Sequence, residues 1–128
     1  MDQFNRRDIF YHIVEDRFKD FKEALNTTSD INQIDVNGMN LLHFACEYNR
    51  TDYASLLIEK GIDLNKQDRF GNTPLWKAVF NARGNYETVS LLIKNGSDPT
   101  ILNNAGRSPL TLAKSFGDEQ LTHIMRTL

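Results

Sequence analysis

Three histidines, one cysteine and a few closely spaced acids are the side chains with which this chain could do chemistry. His12, His43 and His123 stand far apart, and no His-x-x-x-His or Cys-x-x-Cys pair gives a zinc ion a local anchor. Asp30, Asn32, Asp35 and Asn37 have the residue types of a calcium loop. Their spacing is wrong, however, and Leu41 stands where such a loop needs its bidentate Glu. Cys46 falls on an apolar stripe, which predicts a small buried hydrophobe rather than a nucleophile. Asp118 and Glu119 are neighbours, so on a helix they point about 100° apart and suit a helix N-terminus better than a shared substrate. No Gly-x-x-x-x-Gly-Lys phosphate loop and no Gly-x-Ser-x-Gly elbow is present. The residues predict no enzyme, no metal and no cofactor.

Bulk properties narrow the class further. The 128 residues suffice for one domain, 1–128, and its thirteen aromatic residues can build a core. Net charge is −2, and neither end of the chain is strongly basic, which disfavours nucleic acid as partner. One cysteine cannot close an internal disulfide. The first residues, Met1 to Asp8, lack the apolar stretch of a secretory signal, and no apolar run approaches the ~18 residues of a membrane span. A soluble, cytoplasmic protein without a membrane partner is expected. The Asn-x-Ser/Thr triplets at Asn26, Asn49 and Asn95 then read as chance matches.

The elements that position these residues come from internal repetition. Asp35-Val36-Asn37-Gly38-Met39-Asn40-Leu41-Leu42-His43-Phe44-Ala45 returns as Asp68-Arg69-Phe70-Gly71-Asn72-Thr73-Pro74-Leu75-Trp76-Lys77-Ala78. It returns again as Asn103-Asn104-Ala105-Gly106-Arg107-Ser108-Pro109-Leu110-Thr111-Leu112-Ala113, with steps of 33 and 35 residues. Downstream, Ala54, Leu57, Ile58 and Gly61 return as Val89, Leu92, Ile93 and Gly96. A degenerate copy precedes these: Leu42 maps to Ile9, Ala54 to Phe21, Ile58 to Leu25, and Asp63-Leu64-Asn65 to Asp30-Ile31-Asn32. Gly38, Gly71 and Gly106 sit where a tight turn needs positive φ. Thr73 and Ser108 precede a proline that belongs in the first turn of a helix. Leu75, Ala78 and Val79 make one short apolar stripe, and Val89, Leu92 and Ile93 make a second. Gly61 and Gly96 close the second helices.

On these residues the chain resembles the ankyrin-repeat family, whose unit is a β-turn with two helices and a Thr-Pro-Leu-His-x-Ala signature. Thr73-Pro74-Leu75 matches that signature, Ser108-Pro109-Leu110 is a close variant, and Asn40-Leu41-Leu42-His43 keeps the Leu and His. The resemblance covers roughly residues 4 to 128. It implies an all-α repeat solenoid of about four helix-turn-helix units with β-turn or hairpin loops. The units run over about 4–32, 33–65, 66–100 and 101–128, the first and last acting as caps. Lys114 stands where Cys46 and Val79 stand in the inner units, as a polar end face requires. Leu121, Ile124 and Met125 keep the second-helix spacing. Two departures stand out. Two extra residues lie within Asn81–Asn85, and Trp76 replaces the signature His, so the bond that His makes to the neighbouring turn must be lost or made differently.

The resemblance further implies a concave binding face made of turn tips and first helices. The tip positions are Val36, Asn37 and Met39, then Arg69, Phe70 and Asn72, then Asn104, Ala105 and Arg107. The first-helix positions are Glu47 and Tyr48, Phe80 and Asn81, and Ser115 and Phe116. Aromatic, Met and Arg side chains of this kind anchor protein interfaces. The expected partner is therefore another protein, bound by a chain that is itself a monomer. Short ankyrin proteins that resemble this one occur in bacteria, some as immunity proteins, so a toxin or effector domain neutralised by binding is one expectation. A scaffold or regulatory subunit is the alternative. Phe10, Tyr11, Phe18 and Phe21 are more aromatic than a plain cap needs.

Overall fold

Thr73 shows how the chain makes its short helices. Its side-chain oxygen accepts from the Trp76 amide at 3.3 Å, Pro74 takes the first helical position, and Leu75, Ala78 and Val79 turn inward. The helix ends after seven residues, about 10 Å, too short to persist alone. The computed structural model describes residues 7–126; the expected start of the first unit near residue 4 and its last end at 128 lie outside the described residues. Among the described residues there are eight helices: α1 (Asp8–Val14), α2 (Phe18–Thr27), α3 (Leu41–Glu47), α4 (Thr51–Glu59), α5 (Pro74–Phe80), α6 (Glu87–Lys94), α7 (Pro109–Ser115) and α8 (Glu119–Arg126).

Consecutive helices pack as pairs, and the pairs stack side by side. α1, α3, α5 and α7 form one layer; α4, α6 and α8 pack in sequence in the other, with α2 against α1. The buried side chains form one continuous core running through every pair, from Ile9 and Phe21 to Leu121 and Met125. This is the all-α repeat stack expected from the sequence. Each pair lacks a core of its own and borrows apolar surface from its neighbours.

The first pair is held by aromatic rings. Phe10 meets Phe44 edge-on at 5.0 Å between centroids, while Phe18 and Phe21 flank Tyr53 at 4.9 and 4.8 Å. Phe10, Phe18 and Phe21, three of the four aromatic residues in excess here, are thereby used in packing.

The turns between pairs are built from a repeated polar device. The Oδ1 of Asp35 accepts from the amides of Asn37 and Met39. Asp68 does the same for Phe70 and Asn72, and Asn103 for Ala105 and Arg107, all at 2.9–3.0 Å. The three turns are then laddered: the Arg69 amide donates to the Asn37 carbonyl at 2.8 Å, and the Asn104 amide to the Phe70 carbonyl at 3.0 Å. A second ladder runs beside it, from the Asp63 amide to Asn32 Oδ1 at 2.8 Å and from the Asp98 amide to Asn65 Oδ1 at 3.0 Å. Asp30, Asn32, Asp35 and Asn37, the false calcium loop, are thus turn and ladder residues whose side-chain oxygens are engaged by the chain itself.

Gly38, Gly71 and Gly106 have φ of 74°, 80° and 74°, as the turn requires. Gly61 and Gly96 follow the last residues of α4 and α6 with φ of 86° and 100°. The two-residue insertion forms a turn in which the Asn85 amide donates to the Ala82 carbonyl at 2.8 Å. Arg83 and Gly84 both have positive φ there, and both are exposed. It lies between α5 and α6, at the end of α5 away from the turn tips.

Candidate functional site

His43, Cys46 and Asp118, three of the groups singled out for chemistry, are held in structural roles. His43 is wholly buried; its Nδ1 accepts from the Asn40 amide at 3.0 Å and its Nε2 donates to the Asn72 carbonyl at 2.8 Å. Both nitrogens are thereby used by the neutral ring. Burial lowers its pKa from 6.5 to about 4. Cys46 is fully buried, and desolvation pushes its thiol far up, which removes the thiolate. Asp118 caps α8, accepting from the Leu121 amide at 3.0 Å, and also accepts from the Tyr86 hydroxyl at 2.6 Å. The Tyr86 bond lowers the Asp118 pKa and raises that of Tyr86. Among the described residues no three His, Cys, Asp or Glu side chains gather where they could hold a metal ion. No described helix is long and apolar enough to cross a membrane.

The exposed apolar side chains are arranged quite differently. Ile34, Val36, Phe70 and Leu102 lie on the turns, and Tyr48, Phe80 and Phe116 lie at the far ends of α3, α5 and α7. The second helices of the pairs, α2, α4, α6 and α8, carry no large hydrophobic residue of comparable exposure. Phe70 and Phe80 are more than half exposed, at 57% and 56%. Between these two rows Trp76 and Phe80 line a hollow of about 200 Å³ with Glu47, Lys77 and Asn81. A larger hollow of about 720 Å³ lies on the end face between α7 and α8, but Lys114, Asp118, Glu119, His123 and Arg126 make it polar.

The mapped face needs one correction. Met39 is buried, at 7% exposure, because the Asp35 side chain folds the Met39 amide back and turns the residue into the core. Several mapped residues also hold the stack together. Asn37 accepts from Arg69 at Oδ1 (3.3 Å), and Asn72 accepts from Asn103 Nδ2 at Oδ1 (2.9 Å). Asn104 donates to the Arg69 carbonyl across the stack, whereas Asn81 donates to the Lys77 carbonyl at the end of its own helix. Glu47 pairs with Lys77 at 3.5 Å across two pairs. Val36, Tyr48, Arg69, Phe70, Phe80, Ala105, Arg107, Ser115 and Phe116 are exposed.

Trp76 loses the hydrogen bond of the histidine it replaces. Its indole makes none among the described residues; instead the Arg107 guanidinium lies 6.0 Å from the ring centroid. Ile34 and Leu102 were missed in the sequence. No sequence signal marked them, because their exposure follows from how the turns stack. Arg50 was missed as well. Its Nε and Nη2 donate to the Ile13 and Val14 carbonyls at 3.2 and 3.1 Å, capping α1 from the neighbouring pair.

Known proteins share this arrangement in sequence. Residues 7–103 match the family described as ankyrin repeats (3 copies). The chain belongs to the ankyrin-repeat family. Similar segments occur in human BCL-6 corepressor-like protein 1, 36% identical over 69% of the chain, and in the human neurogenic locus notch homolog protein 1, 39% identical over 69%. Another occurs in the ADP-ribosylation factor GTPase-activating protein AGD4 of Arabidopsis thaliana, 35% identical over 67%. The chain spans only 5%, 3% and 11% of those proteins' lengths. Ankyrin repeats are protein-interaction modules, and an ankyrin stack also forms part of larger enzymes such as that GTPase-activating protein.

Proposed function

We propose that this ankyrin stack binds another protein through the face formed by its turn tips and the ends of its first helices. One observation carries the reading: among the described residues, the large exposed apolar side chains lie on the turns and at the ends of the first helices, and none lies on α2, α4, α6 or α8. Exposed aromatic rings cost solubility unless a partner covers them, and rings presented by a rigid scaffold lose little entropy on binding. The residues proposed for contact are Val36, Tyr48, Arg69, Phe70, Phe80, Arg107 and Phe116, with Ile34 and Leu102 added from the fold.

Neutralising a toxin is a narrower form of the same role, in which the covered patch is the partner's active site. The relatives named above are eukaryotic and none is described as an immunity protein. Protein binding is tested by capturing partners from the native extract with the wild-type chain, with Tyr48→Ala and Phe70→Ala, and with Ser55→Ala and Ser90→Ala on α4 and α6. Loss of the captured protein in the first two variants alone supports the face. Equal capture by all of them refutes it.

A further inference from the structure

The proposed face is cationic in a chain whose net charge is −2. Arg69 and Arg107 are exposed, and neither meets a carboxylate among the described residues. Arg69 lies 5.1 Å from the Phe70 ring centroid and reaches only the amide oxygen of Asn37; Arg107 lies over Trp76. The acids at the equivalent position of the turns are not available to them. Asp35 and Asp68 are buried, each accepting from two backbone amides, and the third turn has Asn103 in their place. Glu47 already faces Lys77.

We infer that the partner presents an acidic, extended segment with one bulky apolar side chain, the apolar group filling the Trp76–Phe80 hollow and carboxylates meeting Arg69 and Arg107. This rests on the protein-binding reading above and adds the partner's chemistry. The hollow of about 200 Å³ has room for one such side chain. A guanidinium beside an aromatic ring is held in place while its N–H edge stays free for a bidentate carboxylate. Because Trp76 borders the hollow and also lies under Arg107, an anchor in the hollow brings its flanking residues beside that guanidinium. Two free guanidiniums on a chain of net negative charge are too few to track a phosphate backbone.

Random peptides displayed on phage, panned against the full chain, test this directly. The recovered peptides should carry Asp or Glu beside an apolar residue, and binding should change the fluorescence of Trp76, the single tryptophan. R69E and R107E should each weaken the best peptide about tenfold or more while the chain stays folded, R69E lowering the melting temperature by no more than the loss of its exposed bond to Asn37 allows. Neutral or basic peptides, insensitive to those reversals yet lost in Phe70→Ala and Phe80→Ala, overturn the acidic partner and leave the face standing. Peptides insensitive to both sets overturn both readings. Recovery of no peptide, or tighter binding of single-stranded oligothymidylate, also overturns the inference.

Discussion

The Nε2 of His43 donates to the Asn72 carbonyl at 2.8 Å, so the first helix of one pair is tied to the turn of the next. The ring makes both of its bonds only while neutral, since a protonated Nδ1 can no longer accept from the Asn40 amide. The folded chain resists protonating His43 until about pH 4, whereas an ordinary histidine protonates near 6.5. The unfolded state therefore binds the extra proton between these values, and stability rises with pH across that window. The contribution is fully present above about pH 7 and is lost as pH falls from 6.5 to 4, on the order of 3 kcal/mol in all. Urea denaturation at a series of pH values should show this slope, and His43→Ala should flatten it while lowering stability at pH 7.

Arg50 joins the first pair to the second through two bonds to the last carbonyls of α1 and a 3.7 Å approach to Asp16, which also accepts from the Tyr53 hydroxyl at 2.8 Å. Arg50→Ala should cost about 1–2 kcal/mol. Amide exchange should accelerate in α1 and α2 first, and α6 to α8 should keep their protection. Uniform acceleration along the chain would contradict this local role.

Gly71 and Gly106 occupy the same turn position but differ in their surroundings. A Cβ on Gly71 would stand 2.7–2.9 Å from Asn104 and Asn103, whereas one on Gly106 would meet nothing within 4 Å. Both have positive φ. Gly106→Ala should cost only the left-handed backbone penalty, about 1 kcal/mol. Gly71→Ala should add a clash that pushes neighbouring turns apart and should melt well below it. Equal melting temperatures would show that the turns are not in the contact described.

Ser97 occupies the slot held by Ile62 in the preceding pair, and its hydroxyl is buried without a hydrogen-bond partner among the described residues. Removing that hydroxyl should relieve a desolvation penalty. Ser97→Ala is expected to leave stability unchanged or raise it by up to about 1 kcal/mol, read from the denaturation midpoint.

The features legible in the sequence were those set by local chemistry that recurs. The turn glycines, the Thr73 and Ser108 caps and the apolar stripes each depend on neighbours within a few residues. Repetition at nearly constant spacing made them recognisable. The burial of Met39 depends on how the Asp35 side chain reverses the turn, which residue type alone does not convey. Arg50 reaches carbonyls 36 and 37 residues away, so no local pattern announces it. Residue type does not mark Ile34 and Leu102 as exposed; only the stacked turns leave them in solvent. The end-face position of Lys114 was legible because a charged residue replaced the inner units' Cys46 and Val79, and it is exposed.

Hydrogen–deuterium exchange of the chain, alone and saturated with its captured partner, tests the central claim most directly. The account predicts new protection at the turns, 34–38, 68–72 and 102–107, and at the ends of α3, α5 and α7 near Tyr48, Phe80 and Phe116. Protection confined to α2, α4, α6 and α8, with the turns unchanged, would contradict it.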